Sequence, residues 1–138
     1  AKADAEEYGQ QQAEAEREAL LRSLGVEPGA TVPPQLRAEV RRLEEDQKRR
    51  ATRSLRDGVD RVLVDLLSVW RDVALIGLGA PLELVNAESD AALRDAARRL
   101  GPSGALAALD AIALARRRIE GNVPPLLALE AMATRFRG

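Results

Sequence analysis

Neither cysteine nor histidine occurs anywhere in the chain. That excludes thiol nucleophiles, disulfides and the usual zinc ligands, together with the side chain that most often shuttles protons near neutral pH. Carboxylate chemistry stays open in principle, but it needs acids gathered in a pocket. Here they are spread along helix-like stretches, mostly beside arginine. The expectation is a domain that is not an enzyme by itself and takes no metal, cofactor or small-molecule ligand. Aromatics are nearly missing too: one Phe, one Trp and one Tyr leave almost no stacking platform for single-stranded nucleic acid. No apolar run approaches the roughly 20 residues of a membrane-spanning helix, and no signal-peptide pattern opens the sequence. A formal net charge of −1 provides no global field towards polyanions. These absences suit a cytoplasmic location without membrane contact. The chain opens at Ala1 inside a polar, helix-prone run, which reads as a piece of a longer protein.

What is present is alanine, leucine, arginine and glutamate, with hydrophobic residues at 46% and charged residues at 31%. Unbranched side chains lose little rotamer freedom in a helix, so the fold class expected is all-α. Residues 1–138 are read as a single helical bundle of roughly five helices, one of them long. The first helix covers residues 4–24, with apolar anchors at Leu20, Leu21 and Leu24, and the Pro- and Gly-rich stretch 25–35 is a loop. The second runs over residues 36–78. Its apolar stripe starts on Leu36, Val40 and Leu43, then moves round to Leu55, Val59, Val62, Leu66, Trp70 and Val73, with Gly58 in the changeover. A stripe that changes face implies either two packing partners along one helix or a kink.

Ser89 is a suitable N-cap for a helix ending near Leu100, with Ala92, Leu93, Ala96 and Leu100 inward. "GPSG" then separates it from a helix over residues 104–119 that buries Leu106, Leu109, Ile112, Ala113 and Ile119 and stops at Gly121. Pro124 and Pro125 fall in the first turn of the last helix. Backbone N–H groups there have no intrahelical acceptor, and the fixed φ of proline is already helical. The prolines start this helix, and Leu126, Leu127, Leu129, Met132, Ala133 and Phe136 supply its apolar side.

Three groups of polar residues stand out. Arg42, Arg49, Arg53 and Arg56 lie within about a quarter-turn of one another on a 3.6-residue helix, away from Leu36, Val40 and Leu43. Such a face suits a solvated surface or a protein contact, with phosphate as the alternative. Arg71 and Asp72 follow Trp70. Neighbours do not face each other on a helix, so both are expected to bond other elements. Asn86 in "LELVN" reads as a capping or turn residue. "GLG" and "GPSG" lack the Lys and Ser/Thr of a phosphate loop and join helices.

"DQKRRATRSLRD", "WRDVALIGLGAPLELVN" and "AIALARRRIEGNVPPLLALEAM", in this order, resemble the C-terminal region of delta-prime subunits of the bacterial DNA polymerase III clamp loader, in their actinobacterial form. The resemblance spans residues 16–137. It implies a helical collar domain that follows two AAA+-type modules and holds a pentamer together while the sliding clamp is loaded on primed DNA. The implied partners are the gamma/tau and delta subunits, with the clamp and DNA reached indirectly, and the parent complex is a DNA-directed DNA polymerase. On the family pattern, Trp70, Arg71 and Asp72 match an aromatic-Arg-Asp segment, with Trp standing where Tyr is common. Asn86 matches the Leu-Val-Asn linker, and Asn122, Pro124 and Leu127 to Glu130, Leu129 included, match the last-helix motif. Two other functions suit an all-α chain of this size: nucleic-acid binding through the Arg42 to Arg56 face, and ligand binding as a regulator domain, which calls for an enclosed pocket.

Overall fold

The computed structural model describes residues 2–27 and 29–136. Pro28, in the expected 25–35 loop, and Arg137, at the end of the stretch that carries the resemblance, lie outside the described residues. The order is α1 (Lys2–Ser23), a 3-10 turn (Pro34–Leu36), α2 (Arg37–Gly77), a second 3-10 turn (Ala87–Ser89), α3 (Asp90–Glu120) and α4 (Pro125–Arg135). Among the described residues there is no strand. The α-helices among the described residues number four, where the sequence suggests roughly five. The difference lies at "GPSG". Gly101 takes φ 66, ψ 175, and Pro102 follows, so α3 bends there without a connecting loop. A proline disfavours helical backbone at the residue before it, and at positive φ glycine alone avoids a steric penalty.

Contacts group the chain into two compact units, residues 1–54 and 55–138. Their boundary falls inside α2, next to the position where the apolar stripe changes face. α2 is helical through Gly58, and its residues on either side of the boundary pack within different units.

In the first unit, α1 lies against residues 37–54 of α2. Gln47 Nε2 donates to the Ala13 carbonyl at 2.9 Å, Arg50 pairs with Glu16, and Arg17 Nε stands 3.6 Å from Glu44. Val26 and Val40 are buried, while Leu20, Leu21, Leu24, Leu36 and Leu43 are half-buried.

In the second unit, residues 55–77 of α2 pack with α3 and α4. One cluster joins Leu63, Ile112, Ala115, Ile119 and Ala128, and another joins Val73, Ala74, Leu93, Ala97 and Ala105. Trp70 is half-buried and packs on both. Alanine takes the tightest positions, which lets helix backbones approach closely. Full burial of Leu63 and Ile112 contributes about 1.5–3 kcal/mol each. Some leucines expected inward are instead exposed, including Leu100 at 45% and Leu106 at 48%, because Ala97, Ala105 and Ala108 hold the inward positions of α3.

Three helix ends share one closure. Gly25, Gly79 and Asn122 take positive φ, and each is followed by a residue whose N–H reaches back five positions: Val26 to Leu21, Ala80 to Leu75 and Val123 to Arg118. These bonds satisfy the last carbonyls of α1, α2 and α3. At the third end the left-handed residue is Asn122, not Gly121, whose φ is −79. Asn is the non-glycine residue that tolerates this region best. Ser89 occupies the N-cap position of α3, but its side chain makes no capping bond. Pro124 is the N-cap of α4 and Pro125 its first residue, with the Ala128 N–H donating to the Pro124 carbonyl at 3.1 Å.

Candidate functional site

The polar centre of the second unit is Asp72, the buried charged residue among those described, with 0% exposure. α2 turns it towards the chain leaving Gly79. Its Oδ1 accepts from the Val85 N–H at 3.2 Å, and its Oδ2 accepts from the Asn86 N–H at 2.7 Å and from Asn86 Nδ2 at 2.9 Å. Asn86 Nδ2 also donates to Ser68 Oγ at 3.2 Å. Burial pushes the Asp72 carboxyl upward. The two bonds from Asn86, the bond from Val85 and the charge of Arg71 together outweigh it, so the group sits below the usual carboxylate range.

Arg71 and Asp72 contact each other despite being neighbours: Arg71 Nη1 donates to Asp72 Oδ1 at 2.9 Å. The half-exposed guanidinium folds back along the helix edge and also reaches the Glu83 carbonyl at 3.5 Å. The sequence groups Trp70, Arg71, Asp72 and Asn86, and the structure joins the last three in one network. It ties residues 83–86 to α2 and engages both oxygens of Asp72. Asn86 precedes the second 3-10 turn, yet its side chain caps nothing, because Asp72 and Ser68 engage it.

Asn122 and Pro124 shape the turn from α3 to α4. Arg56 Nη1 donates to Asn122 Oδ1 at 2.9 Å. This takes Arg56 out of the solvated basic face on which the helical period puts it, since its guanidinium braces a turn and its Nε is buried. On α4, Ala128 is fully buried and Leu129 and Met132 pack on the core, whereas Leu126 is 70% and Leu127 56% exposed. Glu130 is exposed. The apolar side of this helix is therefore divided between core and surface. Phe136 stacks at a tilt on Trp70, with ring centroids 5.8 Å apart.

The other arginines of the basic face lie in the first unit. Arg42 pairs with Glu39 at 3.7 Å. Arg49 and Arg53 line an open cleft of about 660 Å³ with Glu16, Ala19, Leu43, Asp46 and Arg50. They are thus not confined to the side away from Leu43. Glu16 is held below the usual carboxylate range by the bond from Gln47 and then by Arg50.

A further pair was not singled out from the sequence. Arg116 Nε donates to Asp60 Oδ1 at 2.7 Å and Nη2 to Oδ2 at 3.1 Å, a two-pronged bridge between α3 and α2. It holds Asp60 below its ordinary range. Fifty-six positions separate the partners, and no local signal announces them. Among the described residues no group of three or more Asp or Glu could hold a metal ion, and no helix is long and apolar enough to cross a membrane. No protein-family model, curated protein or solved structure matches the chain.

Proposed function

We propose that the chain is an assembly domain of the clamp-loader collar type, a helical part of a delta-prime-like subunit. Its role is to hold gamma/tau and delta subunits together while the sliding clamp is placed on primed DNA. It catalyses nothing alone and works inside a cytoplasmic DNA-directed DNA polymerase complex. The observation that carries the reading is on α4: Leu126 and Leu127 stand 70% and 56% exposed directly beside Ala128, which is fully buried. Ala128, Leu129 and Met132 supply this helix's part of the core, so most of the surface of Leu126 and Leu127 is left over, and a partner helix is a natural cover. The distributed resemblance supplies the identity of the partner.

Nucleic-acid binding through the four-arginine face has less support. Arg42 is paired with Glu39 and Arg56 with Asn122, which leaves two cations free. A regulator's ligand site has less still, since the cleft in the first unit is open and contains no aromatic residue.

The test is reconstitution. Mixed with gamma/tau and delta subunits of the same organism, the chain within its parent subunit is expected to co-elute as one complex. Leu126→Glu with Leu127→Glu is expected to remove it from that complex while its helical signal persists. A parent subunit that never enters the complex would refute the proposal.

A further inference from the structure

The cleft of the first unit is independent of the reading just given. It has an apolar floor, Ala19 from α1 and half-buried Leu43 from α2, and a wall of Arg49, Arg50 and Arg53. Arg50 is engaged by Glu16. Arg49 and Arg53 have no hydrogen-bond or ion-pair partner among the described residues. With Glu16 neutralised, two free cations face a single carboxylate, Asp46. The sequence around them, residues 47–56, carries Lys48, Arg49, Arg50, Arg53 and Arg56 and no acid at all. Two helices alone cover the seam poorly: among the described residues of this unit Val26 and Val40 are the buried apolar ones, and Leu43 is left half open.

We infer that this cleft docks an acidic amphipathic helix of a partner protein. Its apolar stripe lies on Ala19 and Leu43, and two carboxylates one turn apart meet Arg49 and Arg53. The arginines are themselves four residues apart, hence about 6 Å along the axis, which is the spacing of a Glu pair at i and i+4. Arginine presents a planar fork that suits carboxylate. A duplex is the poorer match, because its phosphates find no use for Ala19 and Leu43. Single strands lack any aromatic here to stack on.

The probe is a labelled synthetic helix of about 20 residues with a Leu/Ala stripe flanked by Glu at i and i+4, titrated into the purified full chain by fluorescence anisotropy. The same peptide with Lys for Glu and a DNA duplex of about 20 base pairs serve as comparators. The acidic helix is expected to bind, more weakly as salt rises, and Arg49→Glu with Arg53→Glu should weaken it about tenfold or more. Arg61→Glu with Arg117→Glu, which reverses exposed cations of the other unit, should leave binding within about twofold. Circular dichroism confirms that each variant keeps its helices. No binding of the acidic helix at low salt, tighter binding of the duplex, or equal loss in both double variants would each overturn the assignment.

Discussion

Replacing Asp72 tests most sharply how the second unit is held. Its carboxylate accepts three N–H bonds, from Val85 N, Asn86 N and Asn86 Nδ2, and pairs with Arg71. Bonds to a charged acceptor stabilise by about 1.5–3 kcal/mol each, and removing one partner of a buried pair costs about 3–5 kcal/mol. Residue 85 is itself exposed, so water can reach part of what Asp72→Ala leaves bare. That places the loss near the lower bound, about 3 kcal/mol. Asp72→Asn keeps one oxygen but points an amide at an N–H donor, for a loss of about 2 kcal/mol. Urea unfolding followed by the fluorescence of Trp70, the single tryptophan, reports on this unit because Trp70 packs on both of its clusters. A loss of this size moves the midpoint by about 1–2 M.

The pH dependence has a definite sign. A carboxyl whose folded pKa is depressed stabilises fully above its unfolded value, about 4, and loses that contribution as pH falls through the folded value. Asp60 is depressed too, but it is common to both proteins and cancels. The gap between the native chain and Asp72→Asn should therefore be largest at neutral pH and shrink below about pH 4. A midpoint within about 0.3 M of the native one, or a gap that widens in acid, would refute the reasoning.

Leu63→Ala should cost about 2–5 kcal/mol in the same unfolding experiment, since Leu63 has no exposure, while Leu127→Ala should cost less than about 0.5 kcal/mol. Asn122→Ala should destabilise by about 1–2 kcal/mol, from positive φ and from the lost acceptor of Arg56, and Asn122→Gly should recover the backbone part. Equal effects of the two substitutions would remove the backbone argument. The side chains of Arg116 and Asp60 are 30% and 43% exposed, so solvent screens their bridge. A double-mutant cycle with Arg116→Ala and Asp60→Asn should give a coupling of about 0.5–1 kcal/mol, smaller at about 1 M salt.

What could be read in advance was whatever depends on local stereochemistry. Pro124 and Pro125 must start a helix because their missing N–H groups cost nothing in a first turn. The apolar stripe of α2 changes face beyond Arg53 in the sequence itself, and the boundary between the units follows it. What could not be read depends on where side chains end. Asn86 looks like a cap, yet its amide goes to Asp72, fourteen positions away. Arg56 shares a helical face with Arg42, Arg49 and Arg53, but periodicity cannot report that one guanidinium bends onto Asn122. Nor does it say that the small Ala128 is buried while Leu127 beside it is left exposed. "GPSG" signals an interruption of helix, but not the element that Pro102 meets across the unit. Pro102 meets Gly77, where an added Cβ would stand 3.6 Å from the proline.

The central claim, that the exposed edge of α4 is an assembly surface, is tested most directly by sedimentation of the parent subunit with gamma/tau and delta. The native chain should sediment with them, and Leu126→Glu with Leu127→Glu should sediment apart while its Trp70 unfolding midpoint stays within about 0.3 M of the native one. Co-sedimentation unchanged by the double variant, or none with the native chain, would contradict it.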